Sequence, residues 1–322
     1  MFTAAAPLLA RLKLVVPILL IYGLLLYAII WQPYRGFLPA LSGMVLLPMA
    51  IGSLSAALLD PQARRPLFDS ILLSWGAFAV LFVVLAVLAG EGVICMVMVT
   101  PIYLPASALG CWVTRLWVTR QARRNTVSMF AALPLLALPL DAMVAWPDHL
   151  GSVTTVIEIA APAHVIWDHT VEIPDIDASR LPWTFSHGVL QVPQPLDARI
   201  EGQGKGAVRH LTWTKGVTFR EIITEWDLNR RLVWDFGFDP QSIPPGIDDH
   251  IRVDSPYLKL ASGEYVLEPL DDQRTRLVLT TRYRVSTPLN SYLKIWSHVF
   301  LNDFHSVVLH EIRLRSEQAA RG

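Results

Sequence analysis

The chain has 322 residues, no net formal charge, 17% charged residues and a mean hydropathy of +0.41. Soluble globular proteins average about 25% charged residues and nucleic-acid-binding proteins carry a basic excess, so neither class fits well. A hydrophobic content of 53% also excludes disorder. Residues 1–147 hold nine Lys and Arg against four Asp and Glu, whereas residues 148–322 hold eighteen against twenty-three. The zero is therefore +5 added to −5, which predicts two domains, 1–147 and 148–322.

Five apolar stretches follow one another in the first domain. A bilayer core about 30 Å thick needs about 20 mostly apolar residues in a spanning helix. The candidate spans are 14–31, 37–59, 70–90, 92–113 and 128–146. The first runs to Trp31 without an Ala-x-Ala cleavage site, which favours a retained helix over a signal peptide. The last is interrupted by Pro134 and Pro139, which membrane helices tolerate. We therefore expect an α-helical membrane domain of five transmembrane helices.

The basic residues of the short loops predict the orientation of this domain. If five helices alternate, one side holds Arg11, Lys13, Arg64, Arg65, Arg115, Arg120, Arg123 and Arg124. The opposite side holds only Arg35. Because short cytoplasmic loops are enriched in Lys and Arg, the N-terminus is predicted in the cytoplasm of a bacterial-type inner membrane, with the second domain periplasmic. A fifth stretch that does not cross would instead leave the second domain in the cytoplasm.

Two carboxylates lie near the outer ends of these spans, Glu91 at a turn and Asp141 within the fifth stretch. An ionisable residue inside a membrane is a functional candidate. At these depths we favour a simpler interpretation, in which the side chains reach interfacial water.

The second domain shows strand and turn patterns before one long helix. Alternation predicts a strand over 153–159, followed by a short helix from Ala161 and a Pro-rich irregular region through Pro195. Further strand candidates are 205–214, 217–226, 231–238, 257–270 and 275–286. The glycine-rich run 202–206 precedes a strand, so a hairpin turn is favoured over a phosphate-binding loop. A helix over 289–317 carries a mostly apolar stripe that must pack on the concave face of an antiparallel sheet. The residues of this stripe are Leu293, Trp296, Phe300, Phe304, Val307, Val308, Glu311 and Ile312.

This order is that of the helix-grip fold, an α+β architecture with a curved antiparallel sheet and a long C-terminal helix. In segment 156–168 a strand runs through Ala161-Pro162 into a helix with Val165 and Trp167, and 206–209, 219–226 and 275–277 add support. On these residues, about 152–317 resembles the START-like or SRPBCC superfamily, which includes lipid-transfer domains and aromatic polyketide cyclases. The resemblance implies a pocket for a hydrophobic or amphipathic ligand between sheet and helix. The five-helix part carries no such resemblance.

Aromatic and polar side chains predict the lining of that pocket. The candidate residues are Trp183, His187, Arg209, Trp213, Glu221, Trp234, Tyr265, His298, Asn302 and His305. Titratable groups over an apolar cavity could act as acid and base, yet Arg209 and Glu221 on adjacent strands also fit a cross-strand ion pair. His310-Glu311 lacks the second histidine of a His-Glu-x-x-His zinc motif. We assign no catalytic residue and expect neither metal nor cofactor.

These features favour a membrane-anchored START-like domain that binds, transfers or senses a lipid or other hydrophobic small molecule at the outer face of the inner membrane. Its expected partners are that molecule and the bilayer, not nucleic acid. One alternative is a cyclase or hydrolase that acts on a hydrophobic substrate. Another is a membrane assembly module that docks a partner protein.

Overall fold

The computed structural model describes residues 5–31, 38–88, 93–118, 125–244, 247 and 253–322. The chain divides into two compact units, Met1–Trp146 and Pro147–Gly322. Five residues used above for orientation or as candidate carboxylates lie outside the described residues: Arg35, Glu91, Arg120, Arg123 and Arg124.

The first unit is helical in its described parts. Its helices are α1 (Ala5–Ile30), α2 (Leu47–Leu59, which continues a π-helical segment at Ala40–Leu46), α3 (Leu67–Leu88), α4 (Val93–Val118) and α5 (Asn125–Met143). Four stretches are long and apolar enough to cross a bilayer: Leu9–Ile30, Ala40–Leu59, Leu67–Leu88 and Val93–Leu116. The apolar helix Phe130–Met143 is shorter, so the fifth crossing stays a prediction.

Helices α2 and α4 cross with their backbones in contact. A methyl group added at Gly52 would lie 1.9 Å from the carbonyl oxygen of Ser107, and one at Gly110 would lie 2.0 Å from that of Met49. The Cys111 thiol donates to the Gly52 carbonyl at 3.1 Å. Small residues allow this close approach of the two helix backbones.

Arginine side chains gather three chain segments at one end of the helical unit. Arg11 Nη1 donates to the carbonyl oxygen of Leu59 at 3.0 Å. Arg115 donates to the carbonyl oxygens of Arg65 at 2.6 Å and Ala63 at 3.3 Å. The first turns of α1, the connection between α2 and α3, and the last turn of α4 therefore lie together, and we call this the arginine end.

Asp141 of α5 lies at the other end of α2 and its π-helical extension. Its carboxylate accepts hydrogen bonds from the backbone N–H groups of Leu41 (2.9 Å) and Ser42 (2.8 Å) and from the Ser42 hydroxyl (2.6 Å). The residue is 4% exposed, so the expectation that it reaches interfacial water is wrong. It instead satisfies N–H groups that lack partners at a helix start, where a negative charge is also favoured. Helix α5 thus ends opposite the arginine end.

The second unit is an antiparallel sheet that holds one long helix. Its strands are β1 (His149–Ile159), β2 (Pro195–Glu201), β3 (Val208–Trp213), β4 (Thr218–Asp227), β5 (Arg231–Gly237), β6 (Leu258–Asp271) and β7 (Arg274–Val285), in the order β1-β7-β6-β5-β4-β3-β2. Its α-helices are α6 (Ala163–Val171), the one-turn α7 (Phe185–Gly188) and α8 (Asn290–Ala319). The helix-grip architecture predicted from the sequence is confirmed.

Strand β2 was not predicted from the sequence. The Pro-rich stretch before Pro195 masked the short alternation of Leu196, Ala198 and Ile200, of which Ala198 is buried. The predicted turn at 202–206 is confirmed, since it joins β2 to β3. Three of its glycines have positive φ angles of 84°, 78° and 92°, a conformation open to residues without a Cβ.

The core of this unit lies where α6 and the C-terminal half of α8 meet the sheet. Ile166 of α6, Leu309 and Ile312 of α8, and Leu277 of β7 pack in one buried cluster. For α8, the predicted stripe is confirmed at Val307 and Ile312, which are both buried. Trp296 and Phe300 of that stripe are only half-buried, and the buried face includes Leu301 and His305 instead.

Candidate functional site

Aromatic rings form a continuous surface on the face of the sheet that α8 covers. We call this surface the aromatic array; its members are Trp213, Phe219, Trp234, Phe236, Phe238, Tyr265 and Phe304. Centroids of neighbouring rings lie between 5.0 and 6.4 Å apart. This is the range in which aromatic pairs attract one another, so the rings support each other as a surface.

Burial divides the array into two parts. Trp234 and Tyr265 are fully buried and belong to the core. The remaining rings are half-buried: Trp213, Phe219, Phe236, Phe238 and Phe304. Ordinary core aromatics are sealed from solvent, whereas these rings keep apolar surface exposed beside a long helix. Small-molecule sites are lined mostly by apolar and aromatic side chains, which these rings provide.

Arg209 and Glu221 form a buried ion pair on neighbouring strands. Arg209 Nε donates to a carboxylate oxygen of Glu221 at 2.6 Å, and its Nη1 donates to the carbonyl oxygen of Thr170 in the last turn of α6. The guanidinium carbon lies 4.7 Å from the Trp234 ring centroid. Burial raises the pKa of Glu221, and Arg209 opposes that rise. The pair therefore ties α6 to the sheet, in line with the cross-strand alternative.

His305 joins α8 to the two strands at one edge of the sheet. Its Nδ1 lies 2.9 Å from the hydroxyl of Thr155 on β1, and its Nε2 lies 2.8 Å from that of Thr281 on β7. Both ring nitrogens are therefore occupied, since each hydroxyl can donate or accept as the tautomer requires. Burial lowers the pKa of His305 to about 4, so the ring is neutral near pH 7. This histidine therefore holds α8 against β1 and β7.

Acidification is expected to destabilise the second unit through His305. Burial lowers its pKa from 6.5 to about 4, so between these values the unfolded chain binds a proton that the folded chain does not. The stabilisation is complete above pH 6.5 and is lost as the pH falls towards 4, by about 2 kcal/mol at pH 5. We expect the midpoint of thermal unfolding of the full chain to fall between pH 7.5 and pH 5. This fall should be larger for wild type than for His305→Gln.

The variant is needed as a reference because burial also lowers the pKa values of His169 and His187. Their contributions persist in His305→Gln and cancel in the comparison. Equal losses of stability in both proteins would show that His305 is not the titrating group.

His187 and Trp213 both pack against the Phe304 ring. The ring centroids of His187 and Phe304 are 5.5 Å apart, and those of Trp213 and Phe304 are 5.3 Å apart. Helix α7, which carries His187, is fixed to α8 because the Ser186 N–H donates to the Asp303 carboxylate at 2.7 Å. The structure therefore brings two predicted site residues from distant segments to one end of the aromatic array.

Comparison with known proteins agrees with this architecture. Residues 151–295 match the family model described as polyketide cyclase / dehydrase and lipid transport. The predicted START-like resemblance is confirmed. We therefore call the second unit the START-like domain.

Several solved structures are similar to this chain. The Zhui aromatase/cyclase from Streptomyces sp. R1128 is 19% identical, with 54% of this chain and 98% of that chain covered and a TM-score of 0.35. Norcoclaurine synthase from Thalictrum flavum is 13% identical, with 54% and 96% covered and a TM-score of 0.35. A protein from Nitrosospira multiformis is 15% identical, with 53% and 100% covered and a TM-score of 0.33. No curated protein matches the sequence.

Three predicted pocket residues lie neither in the aromatic array nor in the buried polar contacts next to it or to α8. Trp183 is 74% exposed and covers Gly188 on the outer surface, so it does not line the enclosed face. Asn302 is exposed and His298 is half-buried, so the expected polar cluster with His305 does not form. That cluster was predicted from helical spacing alone. Helical spacing does not show which side of α8 the sheet covers. Within the described parts of the chain, no group of three His, Cys, Asp or Glu could hold a metal ion.

The groups that hold the histidines in place were not predicted from the sequence. Thr155 and Thr281 bind His305, and the carbonyl oxygen of Val192 lies 3.0 Å from Nδ1 of His187. Threonines on strands are common and a carbonyl group has no sequence signature, so no pattern could have identified these partners.

Proposed function

We propose that the START-like domain binds a lipid or other hydrophobic small molecule, and that the helical unit anchors it to a membrane. The half-buried part of the aromatic array is the observation that carries this proposal. Covering apolar surface contributes about 25 cal/mol per Å², so a ligand placed on these rings gains affinity without any charged contact. The matching family includes lipid transport in its description, which supports the same conclusion.

The chemistry of the buried polar groups favours binding over a cyclase or hydrolase activity. Arg209 and Glu221 neutralise each other and tie α6 to the sheet. His305 uses both ring nitrogens to hold α8. A general acid or base needs a proton-transfer atom within reach of the substrate, and these three groups are engaged in structural contacts.

Ligand recovery tests this proposal. The full chain, purified in detergent and extracted with organic solvent, should release a reproducible hydrophobic compound on mass spectrometry. Phe219→Ala removes a half-buried ring of the array and is expected to weaken retention about tenfold, the equivalent of about 1.4 kcal/mol. Trp183→Ala is the matched control, because it removes an exposed ring outside the array.

Wild-type protein that is consistently free of ligand, and that takes up none when incubated with lipid extracts, would overturn the proposal. Equal ligand loss in Phe219→Ala and Trp183→Ala would also contradict it, because the array would then have no special role.

For the membrane unit we propose five crossings, with the N-terminus in the cytoplasm and the START-like domain in the periplasm. Arg11, Arg65 and Arg115 all belong to segments at the arginine end, as expected for the cytoplasmic side. Helix α5 ends at the opposite end, where Asp141 meets Ser42. The chain therefore leaves the helical unit on the side away from the arginine end.

Reporter fusions provide the test of this orientation. Alkaline phosphatase fused after Gly322 is active only outside the cytoplasm, so this fusion should have high activity in a bacterial host. A fusion in the connection after Arg65 should be inactive and serves as the control. An inactive Gly322 fusion together with normal expression would show that the chain crosses the membrane an even number of times.

A further inference from the structure

A row of aromatic rings lies along the N-terminal half of α8. Residues 289–302 hold one charged side chain, Lys294, whereas residues 303–317 hold five. Three rings in this half follow one another at centroid distances of 6.4 and 5.8 Å, and all are half-buried: Tyr292, Trp296 and Phe300. Ile295, next to Trp296 in the chain, is 62% exposed, so this half of α8 presents apolar surface to solvent.

The row leads to a second group of apolar side chains at α7. Phe300 lies about one helical turn before Asp303, whose carboxylate accepts the Ser186 N–H of α7 at 2.7 Å. Three exposed apolar side chains lie within three residues of Ser186: Trp183, Phe185 and Val189. We call the aromatic row, Ile295 and these three side chains the apolar strip.

The other end of the apolar strip is fixed to the point where the chain enters the START-like domain. Asn290 Nδ2, in the first turn of α8, donates to the Pro147 carbonyl at 2.9 Å. Pro147 follows Met143, the last residue of α5, by four residues, and four residues of chain span at most about 14 Å in any orientation of the domain. The strip therefore begins close to the end of α5, and it extends about 20 Å along α8 to Asp303.

The composition of the domain favours an apolar contact with lipid over a charged one. Residues 148–322 hold twenty-three Asp and Glu against eighteen Lys and Arg, so net charge does not attract the domain to anionic lipids. Trp and Tyr are enriched at membrane–water interfaces, because each has an apolar ring body and one group that forms hydrogen bonds. The apolar side chains of the strip would also leave water at such an interface, and this gain grows with the area covered.

We propose that the apolar strip rests on the surface of the bilayer, with residues 290–303 of α8 parallel to the membrane at the depth of the lipid headgroups. This inference rests on the membrane anchor of the proposed function and adds a second contact with the same membrane. The short connection after α5 keeps the strip at a high effective concentration near lipid, so weak contacts are sufficient to orient the domain. Phe304, which follows Asp303 and packs against Trp213 of the aromatic array, would then lie close to the bilayer, the source of a hydrophobic ligand.

Site-specific photocrosslinking tests the inference on the full chain in nanodiscs that contain an alkyne-labelled phosphatidylcholine. The photoreactive residue p-benzoylphenylalanine is introduced at one position at a time. At Trp183 and at Ile295, which are 74% and 62% exposed, we expect at least about fivefold more lipid labelling than at Leu228.

Two further positions provide the controls. Leu228 is the matched control because it is 60% exposed but lies in the turn after β4, about 30 Å along that strand from the end that pairs with β3 next to Trp213. Val80 of α3 is 45% exposed near the middle of an apolar helix, so it should be labelled by lipid wherever the helical unit is inserted in the bilayer.

The outcomes separate this inference from the proposed anchor. Labelling at Val80 without any excess at Trp183 and Ile295 over Leu228 would overturn the contact of the strip and leave the anchor intact. Labelling at only one of Trp183 and Ile295 would contradict the parallel placement of α8. An absence of lipid labelling at Val80 would contradict the anchor and the strip together. Crosslinks from Trp183 to protein in place of lipid, seen as bands of higher mass on denaturing gels, would overturn the inference in favour of a protein partner.

Discussion

Replacing Glu221 with leucine should lower the unfolding midpoint of the START-like domain by roughly 6–20 °C, as measured by scanning fluorimetry on the full chain in detergent. Arg209 is 3% exposed and would remain charged inside the domain without its counter-ion. Removing one partner of a buried ion pair costs about 3–5 kcal/mol, and each kcal/mol shifts the midpoint of a domain of this size by about 2–4 °C.

A double variant and a surface variant make this result specific. Arg209→Met combined with Glu221→Leu should recover part of the loss, because no unpaired charge is then buried. Arg220→Met breaks the exposed ion pair with Asp239 and should cost less than about 1 kcal/mol. Unchanged stability of the Glu221→Leu variant would contradict the structural role of the pair and favour the acid–base alternative.

The second large effect is expected at Gly52, where α2 meets α4. An alanine methyl group there would lie 1.9 Å from the carbonyl oxygen of Ser107, so the two helices would have to separate. Overpacking a rigid contact costs about 1–3 kcal/mol or more, and separation would also weaken the hydrogen bond from Cys111 to the Gly52 carbonyl. We expect Gly52→Ala to lower both the unfolding midpoint of the helical unit and the yield of monodisperse protein on size-exclusion chromatography.

Gly76 of α3 is the matched control for this substitution. A methyl group added at Gly76 meets nothing within 4 Å, so Gly76→Ala should leave the protein unchanged or slightly more stable, because alanine favours the helix. Equal behaviour of the two variants would show that α2 and α4 do not pack as closely as described.

Local patterns predicted most elements of the START-like domain. Alternating residues identified β1 and the strands from β3 to β7 to within a few residues, since one face of such a strand is buried and the other is solvated. The helix over 289–317 was found because neither Pro nor Gly interrupts its periodicity. Strand β2 escaped because its alternation is short and begins at a proline.

The candidate site was predictable only in part. Seven of the ten proposed residues lie in the aromatic array or in buried polar contacts next to it or to α8: His187, Arg209, Trp213, Glu221, Trp234, Tyr265 and His305. These residues were predicted from their residue types, because aromatic and titratable side chains inside a domain usually have packing or hydrogen-bond partners. Their roles could not be assigned, since a role depends on the partner across space: Glu221 meets Arg209, and His305 meets two threonines.

Charge and hydropathy along the chain were sufficient to separate an apolar, basic first half from a mildly acidic second half, and to predict the helix-grip order of the latter. Both follow from local sequence, because bilayer thickness and strand alternation act over 5 to 20 consecutive residues. Tertiary structure alone decided that Asp141 caps a helix start instead of meeting water, and that His187 and Trp213 both pack against Phe304. These contacts join residues 91 to 117 positions apart. The net charge of zero is the sum of a basic first half and an acidic second half. The candidate chemistry of the chain depends on how each half folds.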